Sequence, residues 1–205
     1  MKQPDFSYIS WITPEEFYTD PAVTCCITGH RNKDLPFGGD ESKAGMKRLL
    51  SMLYLKITEA YKEGYRTFIS GMAEGVDLQC AKIISELISR GEMPGAGLVC
   101  AIPYKEQSDE LKRTIDKYIY SCVLSQCAQA VVVSERKNKE RYRLRNKFMV
   151  DNSTRIIGVL KNKKSGSGTL QTINFAKKAG LDMEIIMLDE NPLLYAETEN
   201  EQSVP

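Results

Sequence analysis

The chain has 205 residues, with 28 Lys plus Arg set against 27 Asp plus Glu and a formal charge of +1, enough for one domain of about 150–200 residues whose core buries roughly 70% of the unfolded surface. So even a balance excludes a surface built throughout for nucleic acid, while leaving room for a local basic patch. A hydrophobic content of 42% with 27% charged residues excludes a disordered chain, and no run approaches the ~18 apolar residues that span a bilayer.

Met1 to Ile12 offers no apolar h-region and no small-residue cleavage site, so secretion is not expected and a cytoplasmic location is. Residues 1–21 read as an extension: Thr13-Pro-Glu-Glu16 has the cap, first-turn proline and acid of a helix start, predicting a short helix there. Ala22–Thr28 is a near-continuous apolar run, as in a strand covered on both faces. From Glu41 to Glu63, Met46, Leu49, Leu50, Leu53, Ile57, Ala60 and Tyr61 recur at helical spacing. Arg66–Ser70 is a second strand, followed by a helix to Arg90, and Gly97–Ile102 is a third. Ser108 reads as the cap of a helix with Asp109 and Glu110 in its first turn. Gln129–Ser134 and Arg155–Leu160 are strands four and five, separated by a polar stretch and a short helix over 143–151. Thr169–Ala179 is a helix and Met183–Leu188 strand six. Glycines at 64, 91 and 180, each preceded closely by a cation, punctuate the helix ends. From Asp189 the chain carries five acids and no base, and residues 189–205 read as a frayed, flexible tail. Strands alternating with helices predict right-handed crossovers and a doubly wound, mostly parallel α/β sheet of Rossmann-like, three-layer form over residues 22–188.

Six cysteines stand at 25, 26, 80, 100, 122 and 127 with no Cys-x-x-Cys pair, and His30 is the single histidine. Reduced, buried cysteines are expected, and no metal site.

In an open parallel sheet, ligands bind outside the carboxyl ends of the strands, and the unusual residues gather there: Gly29-His30-Arg31, then Ser70-Gly71-Met72-Ala73-Glu74-Gly75-Val76-Asp77, then Pro103, then a basic segment leading to Arg145-Asn146, then Ser165-Gly166-Ser167-Gly168-Thr169. Gly71 and Gly75, or Gly166 and Gly168, let main chain approach a ligand, and amides at the following helix start face an anion. Thr169 and Thr172 would add hydroxyl donors. Arg31 offers a planar fork for phosphate. His30 reads as a base- or ribose-binding group, an acid–base group, or a loop histidine satisfied by backbone. Asp77 reads as a ribose carboxylate or a plain helix-start acid. Between Glu135 and Lys147 seven Lys or Arg face two Glu, which is either a solvated face or a basic rim that attracts phosphates. Neither a Walker-type loop nor Gly-x-Gly-x-x-Gly occurs, so those two phosphate routes are excluded.

Thr28-Gly-His-Arg31, Ser70–Asp77, Arg145-Asn-Lys-Phe-Met-Val-Asp151 and Gly166-Ser-Gly-Thr-Leu-Gln-Thr172 resemble the YpsA-like branch of the SLOG superfamily, which includes the DNA-processing protein DprA and the LOG phosphoribohydrolases. The resemblance covers about residues 22–188 and implies a Rossmann-like fold with a pocket for a nucleotide or nucleotide-derived molecule, in a sensor or sequestering protein. It adds Met149 to the expected site, through the Arg145-x-x-x-Met149 segment. The paired glutamates of LOG enzymes fall on Gln171 and Thr172, and an amide cannot carry the charge that glycosidic cleavage needs; a binder is expected rather than an enzyme. Hydrolysis of a nucleotide through Glu74 or Asp77, and single-stranded DNA binding through residues 136–147 in the manner of DprA, are the alternatives. The expected partners are a nucleotide-type small molecule, nucleic acid held weakly, and a second copy of the chain; no cofactor and no membrane are expected.

Overall fold

The computed structural model describes residues 6, 7, 9–134, 140–162 and 167–196. Seven strands, β1 (Trp11–Ile12), β2 (Thr24–Gly29), β3 (Thr67–Ser70), β4 (Gly97–Ile102), β5 (Gln129–Val132), β6 (Arg155–Leu160) and β7 (Asp182–Met187), form one sheet in the order β1-β5-β4-β3-β2-β6-β7. Every neighbouring pair is parallel. Parallel neighbours need crossovers, supplied by α1 (Ala44–Lys62), α2 (Val76–Ser89), α3 (Thr114–Gln126), α4 (Arg141–Asp151) and α5 (Gly168–Ala179).

The strands are apolar on both faces because both are covered. Cys25 and Ile27 belong to one core with Leu49, Leu53, Ile57, Ile84 and Val123, from α1, α2 and α3. Cys26 points the other way, against Met149 and Ala176 of α4 and α5. Successive side chains of a strand alternate in direction, so the adjacent cysteines mark two cores of a three-layer α/β/α molecule. All six cysteines are free, and burial pushes the Cys26 thiol up to about 12. No helix among the described residues is long and apolar enough to cross a membrane.

Three expectations are corrected. The helix predicted at the N-terminus is a single turn, in which the Thr13 amide meets the Glu16 carboxylate at 2.7 Å and the Glu16 amide meets the Thr13 carbonyl at 3.2 Å; just before it, residues 11–12 add the edge strand β1, too short to show a period. Ser108 caps no α-helix: it lies inside a 3-10 segment, Lys105–Glu110, and α3 begins at Thr114. The tail expected to fray from Asp189 is docked over 189–196. Leu194 is buried, Arg48 Nη1 donates to the Leu193 carbonyl at 2.7 Å and the Ala196 carbonyl at 3.2 Å, and a Cβ on Gly45 of α1 would stand 1.8 Å from the Leu194 carbonyl oxygen.

The amino-terminal edge of the sheet is more than a set of caps. Arg155 at the start of β6 donates to Asp182 through Nε at 2.7 Å, pairs with Glu63, and lies against the Tyr65 ring at 4.7 Å. This lock joins α1, β6 and β7 at the end of the sheet away from the carboxyl-terminal loops.

Gly45→Ala tests the docked tail. Alanine favours a helix interior over glycine by roughly 1 kcal/mol, but the overlap with the Leu194 carbonyl opposes that gain. We expect a net loss of about 1–2 kcal/mol in urea denaturation, with faster proteolytic trimming of residues 189–196 than in the parent.

Candidate functional site

The chain runs from β2 toward β5 on one side and then returns to place β6 on the other side of β2. Where strand order reverses, the loops after β2 and β6 part and leave a crevice. A cleft of about 360 Å³ lies there, walled by Gly29, His30 and Arg31 after β2, by Ala73 and Asp77 of the β3–α2 loop, by Tyr142, Arg145 and Asn146 of α4, and by the first turn of α5.

Its floor is an ion pair. Arg145 Nη1 stands 3.1 Å from Asp77 Oδ2, and each residue is 5% exposed. The guanidinium passes directly over the main chain at Gly71, where a Cβ would come within 1.4 Å of Nη1. Burial raises the Asp77 carboxyl above the ordinary range, opposed by Arg145 and by the amides of Ala73 and Gly29. Burial likewise lowers Arg145, opposed by Asp77. Arg145 Nε has no hydrogen-bond partner among the described residues.

The β3–α2 loop is fixed by its own contacts. Ser70 Oγ donates to the Asp77 carbonyl at 2.8 Å and accepts from the Met72 amide at 3.2 Å. Gln107 Nε2 donates to the Gly71 carbonyl at 3.1 Å. Met72 is fully buried with φ 56°, a left-handed backbone that a side chain rarely adopts. Gly75, at φ 89°, brings α2 against the first loop: a Cβ there would lie 2.3 Å from the His30 carbonyl, which accepts from the Val76 amide at 3.2 Å. Glycines 71 and 75 therefore make close approaches to the protein itself. With Ser70 and Met72 they lie outside the cleft lining, as do buried Pro103 and Met149, the latter packed in the α4–α5 core.

Of the residues singled out, Gly29, His30, Arg31, Ala73, Asp77, Arg145, Asn146, Gly168, Thr169 and Thr172 line this one cleft; Gly166 lies outside the described residues. Lys33, Asp34 and Tyr142 join them without having been singled out, as do Thr28 and Ser167, quoted only as members of their motifs. His30 is 3% exposed, with Nδ1 3.9 Å from Asp34 Oδ2. The threonines differ from expectation in their chemistry. Thr169 Oγ1 donates to the Gly29 carbonyl at 2.8 Å, and Thr172 Oγ1 to the Gly168 carbonyl at 2.9 Å. A hydroxyl has one proton, so toward the cleft both can act only as acceptors. Donation falls to the α5 amides: Ser167 Oγ takes the Leu170 amide, and the Gly168 and Thr169 amides belong to the orphan first turn, where the dipole favours an anion.

Tyr142 is held in the wall by Glu110, which accepts from the Tyr142 hydroxyl, the Tyr104 hydroxyl and, at 3.1 Å, Arg141 Nη2. Burial raises the Glu110 carboxyl, and these three donors outweigh it, so the group stays below the usual carboxylate range. Of the basic run at 136–147, each described cation is paired: Arg141 with Glu110, Arg143 with Glu140, Arg145 with Asp77 and Lys147 with Asp151. Positions 136, 137 and 139 lie outside the described residues. Gln171, where a LOG enzyme would carry an acid, opens onto a separate groove along α5 with Asn174 and Lys178.

Comparison with known proteins agrees with this frame. The model of the YspA SLOG family matches residues 25–191, and the chain belongs to that family. A UPF0398 protein of Bacillus cereus (strain G9842) is 27% identical over 157 residues, covering 75% of this chain and 82% of that protein. One from Bacillus thuringiensis (strain Al Hakam) is 26% identical over 156 residues, with the same coverage. Among solved structures, DNA processing protein A from Helicobacter pylori, described for its single-stranded DNA binding mode, superimposes with a TM-score of 0.53 at 17% identity. That match covers 81% of this chain, which spans 65% of the length of that protein, and it shows a shared fold.

Removing one member of a buried pair strands the other charge, at a cost of about 3–5 kcal/mol. Asp77→Ala should lose that much in chemical denaturation, while Asp77→Ala with Arg145→Met should recover most of it. Equal losses in the single and double variants would show that the pair does not hold the floor.

Proposed function

We propose that this member of the YspA SLOG family binds a nucleotide-derived small molecule, with the phosphate seated between the first turn of α5 and Arg145. The observation that carries the reading is Arg145 itself: a buried guanidinium on the cleft wall, one end committed to Asp77 and Nε without a partner among the described residues. Arg31 and Lys33 at the mouth add attraction for an anion, and the cleft volume falls at the small end of the roughly 300–1,000 Å³ typical of ligand sites.

A sensor or sequestering role fits this chemistry better than hydrolysis. Asp77 is spent on Arg145 and two amides, Thr172 donates its proton to a helix carbonyl, and Glu74 stands in a narrow recess beside the cleft rather than on its wall. Incubation with nucleotides should accordingly release neither base nor ribose phosphate.

Single-stranded nucleic-acid binding is the second reading, supported by the fold shared with DNA processing protein A. The pairing of the described α4 cations with carboxylates reduces the charge available to phosphates there, which ranks it behind the small molecule. Dimerisation is retained as part of the proposal from the family resemblance alone.

Gly168→Asp separates binding from folding. A Cβ at this exposed position meets no atom of the described residues within 4 Å, and an acid at a helix start suits the dipole, so thermal stability should hold. A carboxylate about 5 Å from a bound phosphate should weaken binding on the order of a hundredfold at an effective dielectric of about 20. Calorimetric titration with AMP and ADP-ribose, using Gly168→Ala as the neutral control, reads the effect; unchanged affinity in the aspartate variant would overturn the seat.

A further inference from the structure

A narrow recess opens off the cleft between Arg31 and Tyr142, and both side chains line the two spaces. The Tyr142 ring is held by Glu110 through its hydroxyl. Arg141 packs against that ring with Cζ 4.8 Å from the centroid, whereas Arg31 stands at 5.8 Å and is exposed to solvent. Arg31 is therefore the looser neighbour. A planar ring stacked between two others needs about 7 Å from plane to plane, twice the ~3.5 Å of a van der Waals contact. A small outward swing of an exposed arginine supplies it.

The recess behind holds about 10 Å³, room for one water-sized group. Gln107 lies on its wall, 3% exposed. Its amide orientation is fixed, because the Gly71 carbonyl can only accept and so takes Nε2 at 3.1 Å. Gln107 Oε1 is left buried, with no hydrogen-bond partner among the described residues. A buried carbonyl oxygen without a donor is costly, and a group carrying N–H in that recess would relieve it.

We infer that the slot between Arg31 and Tyr142 receives the planar base of the nucleotide, and that the base carries an exocyclic amine which donates to Gln107 Oε1. This rests on the phosphate seat proposed above and adds what that seat does not specify: a preference for amino bases, adenine or cytosine, over their oxo counterparts. A hypoxanthine ring would set its own carbonyl oxygen against Oε1.

The test uses the intact protein and four probes: AMP, IMP, ribose 5-phosphate and inorganic phosphate, titrated by calorimetry. The parent should bind AMP at least tenfold more tightly than IMP, as a site built around one hydrogen bond discriminates. Tyr142→Leu should weaken AMP about tenfold, the scale of one base stacked on an aromatic ring, while leaving ribose 5-phosphate within twofold. Tyr142→Phe, which keeps the ring, should stay near the parent for AMP. IMP bound as well as AMP, or Tyr142→Leu weakening ribose 5-phosphate as much as AMP, would overturn the base slot and leave the phosphate seat standing. Failure of all four probes to bind the parent would overturn both. The AMP-to-IMP ratio is measured on the unaltered chain, so it stands even if a variant folds poorly.

Discussion

A guanidinium cannot be taken out of water cheaply, and the fold meets that cost for Arg145 by bringing Asp77 against it across 68 residues of chain. The rest of the cleft is arranged around that contact. Gly71 has no side chain because the guanidinium occupies the place of one. The neighbouring loop adopts a left-handed turn at Met72 and is fastened by Ser70 and Gln107. The Asp77 carboxylate is in turn held by the amides of Ala73 and Gly29, so β2, the β3–α2 loop and α4 share one electrostatic anchor.

That anchor divides the polar groups of the cleft into those already used and those still available. Asp77, the two threonine protons and the Val76 amide are consumed within the protein. The donors still free to meet an anion are the first amides of α5, the far side of Arg145 and the cations of the mouth, set beside the Asp34 carboxylate and the threonine oxygens. Recognition of an anion then requires little rearrangement of the floor, because its donors are held in place before any ligand arrives.

The architecture was legible because the strands and helices announce themselves locally, β-branched runs against a helical period, and the edge rule turned their order into a location. Ten of the chosen positions line one cleft for that reason. What could not be read was which partner each unusual residue serves. A glycine needing close approach looks the same whether a phosphate or Arg145 fills the space, and Asp77 gives no local sign of a distant arginine. Tyr142 gives no local sign of its place in the wall, because its tie to Glu110, 32 residues away, is tertiary. Ser108 carried the local pattern of a cap, yet the chain tightens into a 3-10 segment instead. The acids after Asp189 read as solvated, while Leu194 among them anchors the segment.

The edge strand β1 has its own consequence for biosynthesis. Trp11 and Ile12 pair with Ala130 and Val131, so β1, made well before β5, must wait for that strand before its ladder can form. Asp77 in turn waits until α4 delivers its arginine. A nascent chain paused before that point holds a carboxylate built for burial and an unpaired sheet edge, and such intermediates are the ones that attract chaperones. The crevice is thus a late product of synthesis, completed only when the second half of the polypeptide folds back across the first.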